Sequence, residues 1–220
     1  MRFSPMTGLP DYFRNPRPEV LQFVPSETRT ALDVGCAAGA FGLALRSEFG
    51  AEVWGIEMNP EAAAFAQERL DRVAVGDAME LLPEMPHAKF DLVTFTDVLE
   101  HLAWPQRALE LARPLLTPKG CVLASIPNIR CWVEFRKLVL GGDFPTEDAG
   151  IFDRTHLRFF TKKSIPRLLG EAGFQIERIA GINERYSRFL RLANLATRGR
   201  LDDARYLQFV VLARPCPEKG

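Results

Sequence analysis

This chain is built on an alternation. Short apolar runs rich in β-formers are each followed by a stretch with helical spacing. The runs lie at 30–35 (TALDVG), 52–57 (EVWGIE), 72–76 (RVAVG), 90–97 (FDLVTFTD) and 121–127 (CVLASIP), with helical spacing at 41–48, 60–70, 79–82 and 105–115. Strand-then-helix repetition implies a parallel sheet, because right-handed crossovers lay the helices on both of its faces. Pro60 behind Asn59 fits the first position of a helix whose cap is the asparagine.

The rhythm changes after residue 127. A helix is expected at 162–172, stopped by Gly173, and strands at 174–182 and 206–214. Three segments fall outside the repeat: 1–29, proline-rich with a short helix at 18–23; 128–160; and 183–205. The last two exceed ordinary connections, which makes them candidates for substrate-facing cover. No low-complexity linker divides the 220 residues, so one domain is expected over 1–220.

Twenty-eight basic and 28 acidic residues cancel, so no global field draws the chain to nucleic acid or an anionic surface. Cys36, Cys121, Cys131 and Cys216 are scattered, without C-x-x-C or metal-ligand spacing, and read as free thiols. No metal is expected. The start of the chain lacks a signal peptide's apolar region, and no apolar run is long enough to span a bilayer. The expected location is the cytoplasm.

The stretch ALDVGCAAGAFG, 31–42, is a glycine turn between the first strand and first helix, where open α/β sheets bind ligands. The dinucleotide fingerprint G-x-G-x-x-G requires glycine at position 37, and this chain has Ala37. Glu57 at a strand end suits a ribose diol in several nucleotide classes. Asp33, Asp77 and Asp97 are more telling, because a rim of carboxylates repels a pyrophosphate. S-adenosyl-methionine carries an ammonium and a sulfonium and no phosphate, and such a rim suits that cation.

With these motifs in order (LDVGCAAG, WGIEMN, GDAME and FDLVTFTDVLEHL), the chain from about 29 to 214 resembles the class I S-adenosyl-methionine-dependent methyltransferases. The resemblance implies a Rossmann-like, seven-stranded, mostly parallel sheet with the last strand antiparallel. It implies that Gly35 and Gly39 let backbone approach the methionine moiety and that Asp33 orients its amino group. Glu57 would hold the ribose, Met58 would lie against the adenine, and Asp77 with the Ala78 N–H would read the adenine edge. Cys36, Ala37 and Asp97 complete the expected cofactor contacts.

Methyl transfer is an in-line displacement, so alignment and exclusion of water matter most, and an oxygen nucleophile must also lose its proton. His101, His156 and Asp97 are the candidate catalytic groups; His87 sits in a polar loop and reads as exposed. The Glu100-His101 pair also occurs in proteins resembling the ubiquinone-biosynthesis O-methyltransferases. The string DRTHLRFFT, 153–161, resembles one in bacterial methyltransferases associated with surface-polysaccharide synthesis.

Arg154, Arg158 and Trp132 are the candidate substrate-binding residues. A purely structural role for DRTHLRFFT would make Phe159 and Phe160 core, Thr161 a helix cap, and Asp153 and Arg154 an ion pair. The segment CWVEFRKLVLGGDFP puts Trp132, Phe135, Leu138 and Val139 on one helical face, the pattern of a lid over the cofactor or of a contact with a second subunit, so a homodimer stays open. The segment 183–205 holds six arginines against three acids, suited to an acceptor phosphate or to a solvated amphipathic helix. Tyr12, Arg14 and Arg17 suit an N-terminal cover.

The expected activity is methyl transfer to a small molecule, O-directed, onto a sugar, glycan intermediate or other metabolite. The motifs of base-methylating enzymes are absent after the fourth strand, so nucleic acid is not expected as substrate. Two other readings stand beside it: a cofactor-binding partner without turnover, resembling the methionine-biosynthesis W proteins, and a nicotinamide oxidoreductase, which Asp33, Asp77 and Ala37 oppose.

Overall fold

Runs such as ALDV and DLVTF place apolar side chains at odd and even positions alike, which suits strands covered on both faces. The computed structural model describes residues 15–185 and 187–217, so Tyr12 and Arg14 lie outside the described residues. Its strands are β1 (Thr30–Val34), β2 (Glu52–Glu57), β3 (Arg72–Val75), β4 (Phe90–Thr96), β5 (Leu116–Pro127), β6 (Phe174–Glu184) and β7 (Tyr206–Pro215). They form one sheet in the order β3-β2-β1-β4-β5-β7-β6. β1 to β5 pair in parallel, and β7 runs antiparallel between β5 and β6. The winding direction reverses between β1 and β4, which opens a crevice beyond their carboxyl ends.

The helices are α1 (Pro18–Leu21), α2 (Ala40–Phe49), α3 (Pro60–Gln67), α4 (Ala78–Leu81), α5 (Pro105–Ala112), α6 (Trp132–Gly141), α7 (Ser164–Glu171) and α8 (Arg188–Ala196). Side chains alternate between two buried clusters, one on each face. Leu32, Val93 and Val211 pack with Leu109 and Leu169 from α5 and α7, whereas Ala31, Leu92 and Val210 pack with Phe41 and Leu45 from α2. The strand alternation therefore serves two cores, which is why no polar stripe appears in these runs.

Local chemistry sets the ends. The Asn59 side chain accepts from the N–H groups of Glu61 and Ala62, capping α3 as its sequence suggests. α5 stops at Ala112, three residues short of the expected end, and gives way to a 3-10 turn over Arg113–Leu115. Pro114 has no N–H to continue the ladder, and its ring disfavours the preceding helical turn. At the start of α7, Thr161 and Ser164 exchange hydrogen bonds: Thr161 N donates to Ser164 Oγ at 2.9 Å and Ser164 N donates to Thr161 Oγ1 at 3.1 Å. Among the described residues, no helix is long and apolar enough to cross a membrane.

Candidate active site

The carboxyl ends of β1 to β4 open into a cavity of about 630 Å3 whose wall includes Asp33, Glu57, Asp77 and Asp97. The turn after β1 brings backbone into that wall. Gly35 has φ +71°, and a Cβ there would lie 2.5 Å from Val98 Cγ2, so no side chain fits. Ala37 also takes a left-handed conformation, φ +49°. Its N–H donates to Glu57 Oε2 at 2.8 Å, which holds an alanine where glycine would be relaxed. That conformation costs an alanine roughly 1 kcal/mol. Ala37→Gly is therefore expected to raise Tm by about 2–4 °C while the cavity keeps its shape, and thermal unfolding checks it.

The acids of the rim differ sharply in state. Asp33 is fully buried, and its Oδ1 accepts from the Thr94 hydroxyl at 2.6 Å. Its Oδ2 is buried with no partner among the described residues, and burial pushes the carboxyl up to about 7. Glu57 is also buried but firmly held, with Oε2 on the Ala37 N–H and Oε1 on the Asn59 N–H at 2.8 Å each. Each oxygen keeps a further lone pair for a donor in the cavity. Asp77 is exposed and caps α4 through the Met79 N–H at 2.7 Å. Met58 stands 72% exposed in the wall.

Asp97 is engaged on every side. Ser125 Oγ and Gln208 Nε2 both donate to its Oδ1 at 2.9 Å, and Arg17 Nη1 forms an ion pair with Oδ2. Arg17 also donates to Gln208 Oε1 at 3.2 Å, so the segment before α1 is fastened across β4, β5 and β7. The rim is thus less acidic than the sequence suggests, because one guanidinium neutralises one of its carboxylates. Gln208, Asn183 and Thr94 had no local signal in the sequence; Asn183 Nδ2 donates to Gln208 Oε1 at 2.9 Å beside the cavity.

His101 lines the cavity. Its Nδ1 lies 3.0 Å from Thr155 Oγ1, and that hydroxyl donates to Asp153 Oδ1 at 2.6 Å. With the threonine proton committed to a carboxylate, His101 Nδ1 carries hydrogen and Nε2 keeps its lone pair. His156 packs against His101 with ring centroids 4.6 Å apart, and its Nδ1–H donates to the Ile151 carbonyl at 2.9 Å. His156 is therefore a neighbour of the cavity residue and is not itself in the wall. Burial, and the nearness of His156, hold His101 below the usual imidazole range.

Glu100, near both rings, is buried with neither oxygen partnered among the described residues; burial, then nearby Asp97, hold its carboxyl well above the usual range. One donor atom each from Glu100, His101 and His156 lie within 4.8 Å of one another, close enough that the set could hold a divalent cation.

The three residues expected to bind substrate lie elsewhere among the described residues. Arg158 Nη2 donates to the Ala103 carbonyl at 2.6 Å, Arg154 pairs with Asp148, and Trp132 stacks on Phe189. Asp153 bonds Thr155 and makes no pair with Arg154. The reason is that backbone N–H groups of Leu157 and Arg158 bond the Glu100 carbonyl at 2.8 and 3.0 Å, docking DRTHLRFFT on the segment that follows β4. No residue of 128–160 is in the wall of this cavity.

A family model described as a methyltransferase domain matches residues 10–179. The chain belongs to that family. Relatives include the ubiquinone biosynthesis O-methyltransferase of Xylella fastidiosa, 30% identical over 183 residues, covering 80% of this chain and 72% of that protein. The protein of the same name from Burkholderia pseudomallei is 27% identical over 161 residues, covering 70% of this chain and 68% of that protein. A crystal structure of an S-adenosyl-methionine-dependent methyltransferase from Archaeoglobus fulgidus shares the Rossmann-like fold, with a TM-score of 0.70 at 19% identity, covering 92% of this chain and 96% of that one.

This methyltransferase therefore uses S-adenosyl-methionine. The site fits that group: an unpartnered carboxylate oxygen, buried in the cavity wall, is what a ligand ammonium requires.

Proposed function

We propose that the protein is a cytoplasmic enzyme that methylates a hydroxyl oxygen of a small acceptor, a sugar or glycan intermediate in the first instance, with His101 accepting the proton. The observation that carries this reading is His101 in the cavity wall with Nδ1 bound to Thr155, which leaves Nε2 to face an acceptor. Relatives named as O-methyltransferases support oxygen as the target.

The bound cofactor supplies a methyl group already activated by its sulfonium. Asp33 would take the ammonium on the oxygen that has no partner among the described residues, and Glu57, held by its backbone contacts, would accept from the ribose hydroxyls. Asp77, the Ala78 N–H and Met58 would hold the adenine. Gly35 and the turn through Cys36 and Gly39 would let the main chain approach the methionine portion.

Asp97 positions and does not deprotonate, because Arg17, Ser125 and Gln208 occupy its two oxygens. Loss of the acceptor proton to His101 Nε2 creates an imidazolium that Asp153 steadies through Thr155.

The direct test is label transfer. Purified protein, methyl-labelled cofactor and a panel of phenols, sugars and nucleotide sugars should yield a methyl ether on at least one hydroxyl acceptor. Label on nitrogen alone, or no transfer without a second protein, would overturn the reading.

A further inference from the structure

Helix α8 combines features that a solvated helix does not need. Ser187 caps it, its hydroxyl accepting from the Leu190 N–H at 3.3 Å, and Leu190 alone is buried. Phe189, Leu192 and Leu195 are 61%, 69% and 79% exposed. At 100° per residue these three fall on the side away from Leu190, with exposed Arg188 among them and exposed Arg191 at the edge of the arc beside Leu195. From 187 to 201 there are four arginines and no acid. None of Arg188, Arg191, Arg198 and Arg200 is in an ion pair among the described residues. Phe189 is further stiffened by stacking on Trp132, with centroids 5.2 Å apart, so the apolar edge continues onto α6.

An occupant of this face must accept apolar side chains and guanidinium groups side by side. A second copy meets it badly, since a two-fold contact between α8 helices brings arginines together with no acid to receive them. The surface of a bilayer containing anionic lipid meets both demands: acyl chains take the leucines and phenylalanine, and headgroup phosphates take the arginines. Placement agrees. β6 delivers the chain to α8 from Asn183, and β7 takes it back at Gln208, and both residues line the cavity.

We infer that α8 is an interfacial helix that docks this protein on the surface of anionic membranes with the cavity end of the sheet turned toward the lipid. This does not depend on which atom is methylated, and its test is separate from turnover.

The full chain is floated with vesicles of phosphatidylcholine alone or mixed with phosphatidylglycerol. It should associate with the mixed vesicles at least tenfold more than with the neutral ones, and added salt should weaken the association. The exposed double variant Leu192→Glu/Leu195→Glu should abolish association, and Arg188→Gln/Arg191→Gln should remove the preference for phosphatidylglycerol. Cofactor binding equal to the parent's identifies the folded variants used for the comparison. Wild-type protein that stays unbound on the mixed vesicles, or undiminished binding by the glutamate variant, overturns the inference. So does a parent dimer in light scattering that the glutamate variant converts to monomer, which would give the face to a second copy.

Discussion

Asp33→Asn is expected to weaken cofactor binding at least about tenfold, roughly 1.4 kcal/mol, and to flatten its pH dependence. Burial first, and then the charge of Glu57, raise the Asp33 carboxyl to about 7, against the pull of the Thr94 hydroxyl. Without ligand the group is mostly protonated at about pH 6, whereas an ammonium needs the carboxylate. Binding must expel that proton, so affinity rises with pH until about 7 and then levels.

The sign for stability is opposite. The folded protein holds this proton more tightly than the unfolded chain, so ionisation opposes folding and stability falls as pH rises from the free carboxyl's 3.8 through about 7. The asparagine variant should lose that decline and unfold at a higher temperature than the parent at about pH 8. Calorimetry in two buffers of different ionisation enthalpy checks the proton release. An affinity that is unchanged in the variant removes Asp33 from the cofactor site.

His101→Gln is expected to lower kcat by about 10²–10⁴-fold with little change in cofactor affinity, because the lost step is proton removal from the acceptor. Burial, reinforced by His156, keeps the His101 ring neutral below the usual imidazole range. The acid limb of kcat/KM should therefore lie below about pH 6.5. His156→Gln should move that limb upward, because the neighbouring ring that helps hold it down is gone. Thr155→Val tests positioning: a lowered kcat together with a moved limb marks it as the group that orients the ring. Turnover should survive exhaustive chelation. Activity lost to a chelator and restored by a divalent cation would give Glu100, His101 and His156 to a metal and take the base role from His101.

What the sequence disclosed and what it hid divide along sequence distance. Asp33 and Glu57 could be read because strand periodicity fixes which residues reach a strand's carboxyl end, and that information is local. The Ala37 contact with Glu57 spans 20 residues, and the Arg17 pairing with Asp97 spans 80. Neither leaves a periodic trace, so the acidity of the rim was overstated. Arg158 was placed by its chemistry alone, which suits an acceptor anion; its Nε and Nη2 donate to the Ala103 carbonyl, a contact that only the docking of 157–158 onto Glu100 brings about. The apolar face of α6 likewise identified a surface needing cover without saying where that surface would lie.

The position of β7 has a consequence for biosynthesis. It is translated after β6 and yet lies inside it, hydrogen-bonded to β5 on one side and β6 on the other. While the ribosome is still working on that strand, β5 has an unpaired edge and β6 has no neighbour to hold it. The earlier strands can assemble during synthesis, but the sheet closes only when residues 206–215 emerge. Gln208, which donates to Asp97, arrives with that last strand. The nascent protein therefore cannot complete its active site before its sheet.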